Sequence, residues 1–340
     1  MDSLTQAVLG AAVGESVLGP KIGRKASILG ALAGTLPDLD VFIQSGLNTV
    51  DGLLFHRGPS HSLLFALIAS LLLGWIAYYF QKQKSVSYQN WFIFFLLTIF
   101  THPLLDAFTN YGTEIFWPFL DTRIAFRTIF VVDPMYTIWL VMAVVFLLFY
   151  KKATVIRRKI ALGSLIISSM FLMLTVYHKY HVDKKVVEKL QEQNYKYERI
   201  MTVPSPLCNW LWTVIIDEGD QYTAGYYSML IADQDFKDVT IKKSEVPEWL
   251  KDSEEYEGLE HFSDGWIIVK ENSTGSLTVD DIRFGPLLGW YNPDSGFIFS
   301  FDVKNEGDAI DVKKIEEEPD GELTSELGKL WDRIWTTDRS

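Results

Sequence analysis

One cysteine, Cys208, is all that the 340 residues contain, so no disulfide within the chain can staple a small domain. Basic residues are also scarce: 31 Lys and Arg stand against 43 Asp and Glu, a net charge of −12. That balance excludes the basic footprint on which nucleic-acid binding depends. The first apolar stretch, Leu4 to Leu18, lacks the cationic segment that opens a secretory signal and has Asp2 in its place. It therefore reads as a retained helix. No internal repeat is evident along the chain.

The acidity is unevenly divided. Residues 1–179 hold 14 Lys and Arg against 9 Asp and Glu, a net of +5, while residues 180–340 hold 17 against 34, a net of −17. The near-zero mean hydropathy, +0.10, thus averages an apolar half with an acidic, soluble one.

In the apolar half, Leu4–Leu18 and Lys25–Ile43 read as two helices. Each carries paired glycines, Gly10 with Gly14 and Gly30 with Gly34, a spacing that lets helices approach closely in lipid. His61–Phe80, Trp91–Phe108, Ile129–Tyr150 and Lys159–Tyr177 are four longer stretches, each near the ~20 residues that a bilayer requires. Alternate connections hold Lys21, Arg24, Lys25, Lys82, Lys84, Lys151, Lys152, Arg157, Arg158 and Lys159 and no acidic residue, which assigns them to the cytoplasm. Six spans would then leave both termini and the C-terminal domain outside. This topology gathers eight of the nine acidic residues of the first 179 at outer helix ends or loops, Glu15 being the exception.

Beyond Tyr177, Val182, Val186, Val187 and Leu190 continue a helical spacing. Short β-rich runs follow. Leu211–Ile216 and Tyr222–Ile231 flank the turn at Asp217–Asp220; Trp266–Lys270 and Ser276–Phe284 flank another at Asn272–Gly275; Phe297–Val303 adds a strand. The Asn272-Ser273-Thr274 sequon matters only where exported proteins are glycosylated. The expected organisation is a mainly α-helical polytopic membrane domain of four to six helices over 1–178 and a helical connector over 179–199. A small α+β, antiparallel β-rich extramembrane domain over 200–312 follows, then an acidic tail over 313–340 with a short helix at Leu323–Trp335.

Three polar clusters interrupt the apolar half: Pro37-Asp38-Leu39-Asp40, His56-Arg57-Gly58-Pro59-Ser60-His61 and Thr101-His102-Pro103-Leu104-Leu105-Asp106. On a helix, His102 and Asp106 share a face. Pro103 is expected to break that helix locally. A turn at Gly58-Pro59 would draw His56 and His61 together, with Ser60 capping the next helix. Imidazoles and carboxylates in combination are the donor set for zinc, manganese or iron, so His56, His61, His102, Asp38, Asp40 and Asp106 are the candidate ligands. Helix capping and interhelical hydrogen bonding are the plainer alternative, but ionisable groups in spanning segments are costly and usually functional. In hydrolysis, Asp38 or Asp106 would act as base or orient a ligand. Arg57 would contact phosphate. The plainer reading, an interfacial arginine, is favoured over that contact. Arg123 and Arg127 would attract an anionic head group or are ordinary loop charges. Asp133-Pro134 would start a helix, and Glu15, paired with Arg24 or Lys25, is left out of the ligand set. Ser60 is a poor nucleophile candidate, since triads need partners in space.

These pieces, with Met1-Asp2-Ser3-Leu4-Thr5 and in this order, resemble the YdjM-type family of inner-membrane metal-dependent hydrolases over residues 1–135. The C-terminal domain is similar to an extension found in one branch. The resemblance implies a bacterial inner-membrane protein whose divalent metal, zinc foremost, serves a hydrolase site likened to zinc-dependent phospholipase C, with membrane lipids as partners. One departure stands out: Gln6 occupies a position where the family often has histidine. Two other functions fit the residues, a non-catalytic membrane protein regulated through its metal or histidines, and, less well, a transporter.

Overall fold

The computed structural model describes residues 1–81, 85–150, 152–232, 234–272, 275–286, 289, 292, 295–307, 309–316 and 323–336. Ser273 and Thr274 of the sequon, the turn expected there, and Lys82, Lys84 and Lys151 of the basic loops lie outside these. The chain divides into two compact units. One holds Met1–Gly46, Phe55–Tyr177 and Pro206–Cys208; the other holds Leu47–Leu54, His178–Ser205 and Asn209–Ser340.

The first unit is helical. α1 (Ser3–Ile22) starts at Asp2, whose carboxylate accepts the Thr5 N–H at 2.9 Å. α2 (Lys25–Gly34) ends before Pro37, which opens a 3₁₀ turn, Pro37–Asp40, leading into the short α3 (Val41–Gln44). The single helix expected over Lys25–Ile43 is thus bent, by 45°. After α4 (Thr49–Phe55), a second 3₁₀ turn, Pro59–His61, precedes α5 (Leu63–Phe80). The N-cap is Ser62, accepting the Phe65 N–H at 3.0 Å, and not Ser60 as the sequence suggested. α6 (Tyr88–Asp106) runs unbroken through Pro103, contrary to expectation. The proline lies in the final turn, where its missing N–H costs one bond of the helical ladder. α7 (Pro134–Phe149) is capped by Asp133, and α8 (Val155–Glu192) runs on beyond Tyr177, as the helical spacing of Val182, Val186, Val187 and Leu190 suggested.

Among the described residues, α5 and α8 are long and apolar enough to cross a membrane, and α2 with its bent continuation makes a third candidate. α7 is apolar but has only 16 residues. The sequence suggested four to six membrane helices; the bend after α2 and the N-cap at Asp133 leave fewer helices long enough to cross by themselves.

Backbone contact unites α1 and α2. A Cβ on Gly10 would lie 2.8 Å from Gly34 Cα, and one on Gly14 would lie 2.7 Å from Ala26 O. Only glycine fits at such separations. Glu15, fully buried on α1, accepts a hydrogen bond from Ser27 and a two-pronged contact from Arg157 of α8, with Nε at 2.8 Å. Arg157, not Arg24 or Lys25, is therefore its partner.

The second unit contains two four-stranded antiparallel sheets. β1 (Arg199–Pro204), β2 (Leu211–Asp217), β3 (Gln221–Ser228) and β4 (Val239–Lys242) form one in that order. After α9 (Glu248–Lys251) and α10 (Glu254–Phe262), β5 (Ile267–Glu271), β6 (Leu277–Pro286), β7 (Phe297–Asn305) and β8 (Ile310–Ile315) form the other. α11 (Leu323–Trp335) follows. Strand alternation explains the packing. Trp212, Val214 and Ile216 of β2 meet Val182, Val186 and Leu190 of α8, whereas Ile215 packs with Ile268 and Ile282 of the second sheet.

Two expectations follow from this packing. Gly30→Val should force backbones apart and destabilise the helical unit by about 1–3 kcal/mol or more, read as a lower unfolding midpoint in detergent; an unchanged midpoint would refute the close-contact account. In the β-rich unit, burial raises the proton affinity of Asp217, but hydrogen bonds from Lys243, the Gly219 N–H and Arg199 outweigh it and hold the carboxyl below its ordinary value. The stability this contributes is complete above the ordinary carboxylate pKa and is lost as pH falls through the lower folded value. Asp217→Asn should therefore flatten the acid limb of the near-UV unfolding curve, and an identical limb would count against this origin.

Candidate metal centre

Three segments of the helical unit converge on one point. The 3₁₀ turn after α2 supplies Asp38, the turn before α5 supplies His61, and the last turn of α6 supplies His102 and Asp106. One donor atom from each of these four lies within 4.8 Å of the others. His61 Nε2 and His102 Nε2 are 3.1 Å apart. Asp38 Oδ1 is 3.4 and 3.2 Å from those two nitrogens, and Asp106 Oδ2 is 3.5 Å from each. A tetrahedral ion with bonds of about 2.0–2.1 Å has ligand–ligand edges of ~3.4 Å. The five edges given above, 3.1–3.5 Å, lie close to that figure.

The proton positions inferred from the surroundings sharpen the case. His102 Nδ1 lies 2.6 Å from the carbonyl oxygen of Gly34, an acceptor only, so Nδ1 carries the proton. His61 Nδ1 faces Ser60 Oγ at 2.9 Å and Asp40 Oδ2 at 3.4 Å. Ser60 gives its own proton to Asp40 at 2.7 Å, which leaves His61 Nδ1 as donor too. Neutral rings would then turn two Nε2 lone pairs toward each other. Asp106 Oδ2, fully buried, has no hydrogen-bond partner and points at the same place. Such a constellation repels itself unless a proton or a cation sits within it, and a divalent metal fits the donor set.

Proton and metal compete here. Burial disfavours the imidazolium of His61, yet the Asp38 and Asp40 carboxylates, with the field of Asp106, overcome it and raise the proton affinity above the ordinary value. Metal occupancy should accordingly fall as pH drops.

Of the six expected ligands, four face the point and two stand behind it. Asp40 accepts from His56 Nδ1 at 2.9 Å, from Ser60 and from the Arg57 N–H at 3.3 Å, and it lies against the far side of the His61 ring. This is the arrangement in which a carboxylate orients a ligand imidazole. His56 is held to Asp40 and reaches the centre only through it. The physical reason is the turn between the histidines: Arg57 adopts φ +64°, which turns the chain and separates the two rings to 5.8 Å.

Arg57 is buried, in contrast to the exposed phosphate contact expected for it. Its Nε lies 3.6 Å from Asp106 Oδ2, its Nη1 donates to Thr109 Oγ1 at 3.2 Å, and its guanidinium stacks on Tyr111 at 4.5 Å. Arg123 lies on the same tyrosine at 5.7 Å, pairs with Glu114 and donates to the His56 carbonyl at 3.0 Å. Gln6 gives its amide protons to Asp106 Oδ1 at 3.0 Å and to the His102 carbonyl at 3.3 Å. The glutamine thus steadies a ligand. Gln6 was singled out in the sequence as a departure from histidine and left out of the ligand set; Thr109, Tyr111 and the Gly34 carbonyl were not foreseen, and a backbone acceptor carries no sequence signal.

Fold and site together define a helical membrane protein with a buried His/Asp cluster able to hold a metal ion. The family model of the YdjM inner membrane protein matches residues 1–182, and the chain belongs to that family. Inner membrane protein YbcI of Escherichia coli (strain K12) is 29% identical over 118 residues, which is 34% of this chain and 64% of that protein. The chain thus spans slightly less than two thirds of that relative's length. No solved structure matches.

Elemental analysis of the detergent-purified protein should find a divalent metal that His61→Ala and His102→Ala abolish. Asp40→Asn should keep the fold and weaken metal affinity by about 10–100-fold. Equal metal in wild type and the histidine variants would defeat the assignment.

Proposed function

We propose that this protein is a metal-dependent hydrolase of the inner membrane, acting on a phospholipid or lipid-linked phosphodiester at the outer face. The observation that carries the reading is the half-open cluster: His61, His102 and Asp106 are sealed in protein, while the Asp38 side chain remains 24% exposed. Apolar side chains beside it support a lipid substrate. Phe42, close after Asp38 and Asp40, is 76% exposed, and Phe119, in the loop that hydrogen-bonds Arg57 through Glu114 N–H, is 80% exposed. Sidedness rests on the basic residues of the alternate connections.

A bound divalent ion, with zinc the first choice for this donor set, would supply positive charge against the phosphoryl oxygens and lower the pKa of water. The chain's own residues do the rest. With His61, His102 and Asp106 as the three protein donors, Asp38, the accessible carboxylate, would be left free to accept the proton of the attacking water as its oxygen bonds to phosphorus, and to return it to the ester oxygen when that P–O bond breaks. Asp106, steadied by Gln6 and Arg57, stays anionic. Asp40 fixes the His61 ring through Nδ1, and the Gly34 carbonyl does the same for His102.

A second reading has its own support: four protein donors close a tetrahedron, as structural sites do, and would make the metal a regulatory or structural element. Release of a phosphomonoester from short-chain phospholipids by the purified protein decides between them. An Asp38→Asn variant that retains metal should lose at least ~100-fold in turnover. Full metal without any turnover in the wild type would favour the closed site. A periplasm-dependent reporter fused after Ser340 should be active, and activity only for a cytoplasmic reporter would reverse the sidedness.

A further inference from the structure

A second site lies at the other end of the same helices. The C-terminal end of α1, the start of α2, the end of α5 and the start of α6 enclose a cleft of about 1020 Å³. The metal centre sits at the N-terminal end of α5 and the C-terminal end of α6, so a helix of ~18 residues, about 27 Å, separates the two. They are independent features.

The cleft has a distinct chemistry at each depth. Its walls are Leu29, Leu73, Ile76, Phe80, Trp91 and Phe95. Its mouth carries Lys21, Arg24 and Lys25, all exposed, and no acidic residue lines it. None of these three cations forms an ion pair with any described residue, in contrast to Arg57 and Arg157 of the same unit. Trp91, only 6% exposed in the wall, has an indole N–H with no hydrogen-bond partner.

We propose that this cleft binds an anionic phospholipid, its headgroup phosphate held by Lys21, Arg24 and Lys25 and an acyl chain lying along the apolar wall. Charge complementarity selects the headgroup, since three uncompensated cations converge where the apolar wall begins. The apolar depth selects a lipid over a soluble anion, because phosphate alone would leave that surface uncovered. By the charge rule that assigns these residues to the cytoplasmic side, the lipid belongs to the inner leaflet. One protein would then hold a lipid in one leaflet while its metal centre faces the other.

Native mass spectrometry of the full-length protein, released from detergent with dioleoyl-phosphatidylglycerol or dioleoyl-phosphatidylcholine, tests this. Wild type should retain the anionic lipid at least about ten-fold more than the zwitterionic one. Combined Lys21→Gln, Arg24→Gln and Lys25→Gln should reduce that preference below about three-fold, with metal content unchanged. Ile76→Trp, which fills the wall and keeps the cations, should lower retention of both lipids. Excess inorganic phosphate should leave the bound lipid in place. Equal retention of the two lipids by wild type overturns the proposal without any variant, as does displacement by phosphate, which would mark a simple anion site.

Discussion

Two imidazole nitrogens 3.1 Å apart, with a buried carboxylate oxygen beside them that accepts no hydrogen bond and lies 3.6 Å from Arg57 Nε, are the constraint around which the helical unit is arranged. Nothing in an apolar interior relieves that repulsion except positive charge. The neighbouring contacts make sense as provisions for it. The Gly34 carbonyl and the Asp40 carboxylate keep the outer nitrogens protonated, so that the inner ones stay bare. Gln6 and Arg57 hold Asp106 in place without occupying the oxygen that faces the centre with a hydrogen bond. A cation among these donors would lower the cost of burying them, and folding would then be tied to occupancy.

How much of this was legible in the sequence depended on how each residue announces itself. Asp38, His61, His102 and Asp106 stand out because ionisable side chains in apolar surroundings have few structural uses. Asp40 and His56 belong to the same clusters, and their supporting place emerged only with the turn at Arg57, whose positive φ no spacing rule predicts. Arg57 looked available for substrate because one cannot see along a sequence that Asp106, Thr109 and Tyr111 surround it. The glycine spacing in α1 and α2 was readable as close packing. Arg157 as the partner of Glu15 was not, with 142 residues between them.

The β-rich unit shows the same division. Val182, Val186 and Leu190 read as one helical stripe, and the stripe meets alternate residues of β2. Strands β2, β3, β5, β6 and β7 follow apolar runs, whereas β4 has only four residues, none of them buried, and β8 alternates weakly; the separation into two sheets is a matter of pairing that local pattern does not encode. The two units also satisfy their apolar surface differently. The second buries it between helix and sheets. The first leaves the windows of α5 and α8 only 17% and 22% buried, a surface for which lipid is the natural solvent.

Gly34 has two duties that bind these observations together. Its Cα lies against Gly10 in the tight contact of α1 with α2, and its carbonyl accepts the Nδ1 proton of His102. The distance between two helix backbones therefore sets the direction of a ligand's lone pair. Any force that parts α1 from α2, whether a larger side chain or a change in lateral pressure from the surrounding lipid, also detunes the metal centre. The seam between the helices is in this sense an adjusting screw for the chemistry at its end.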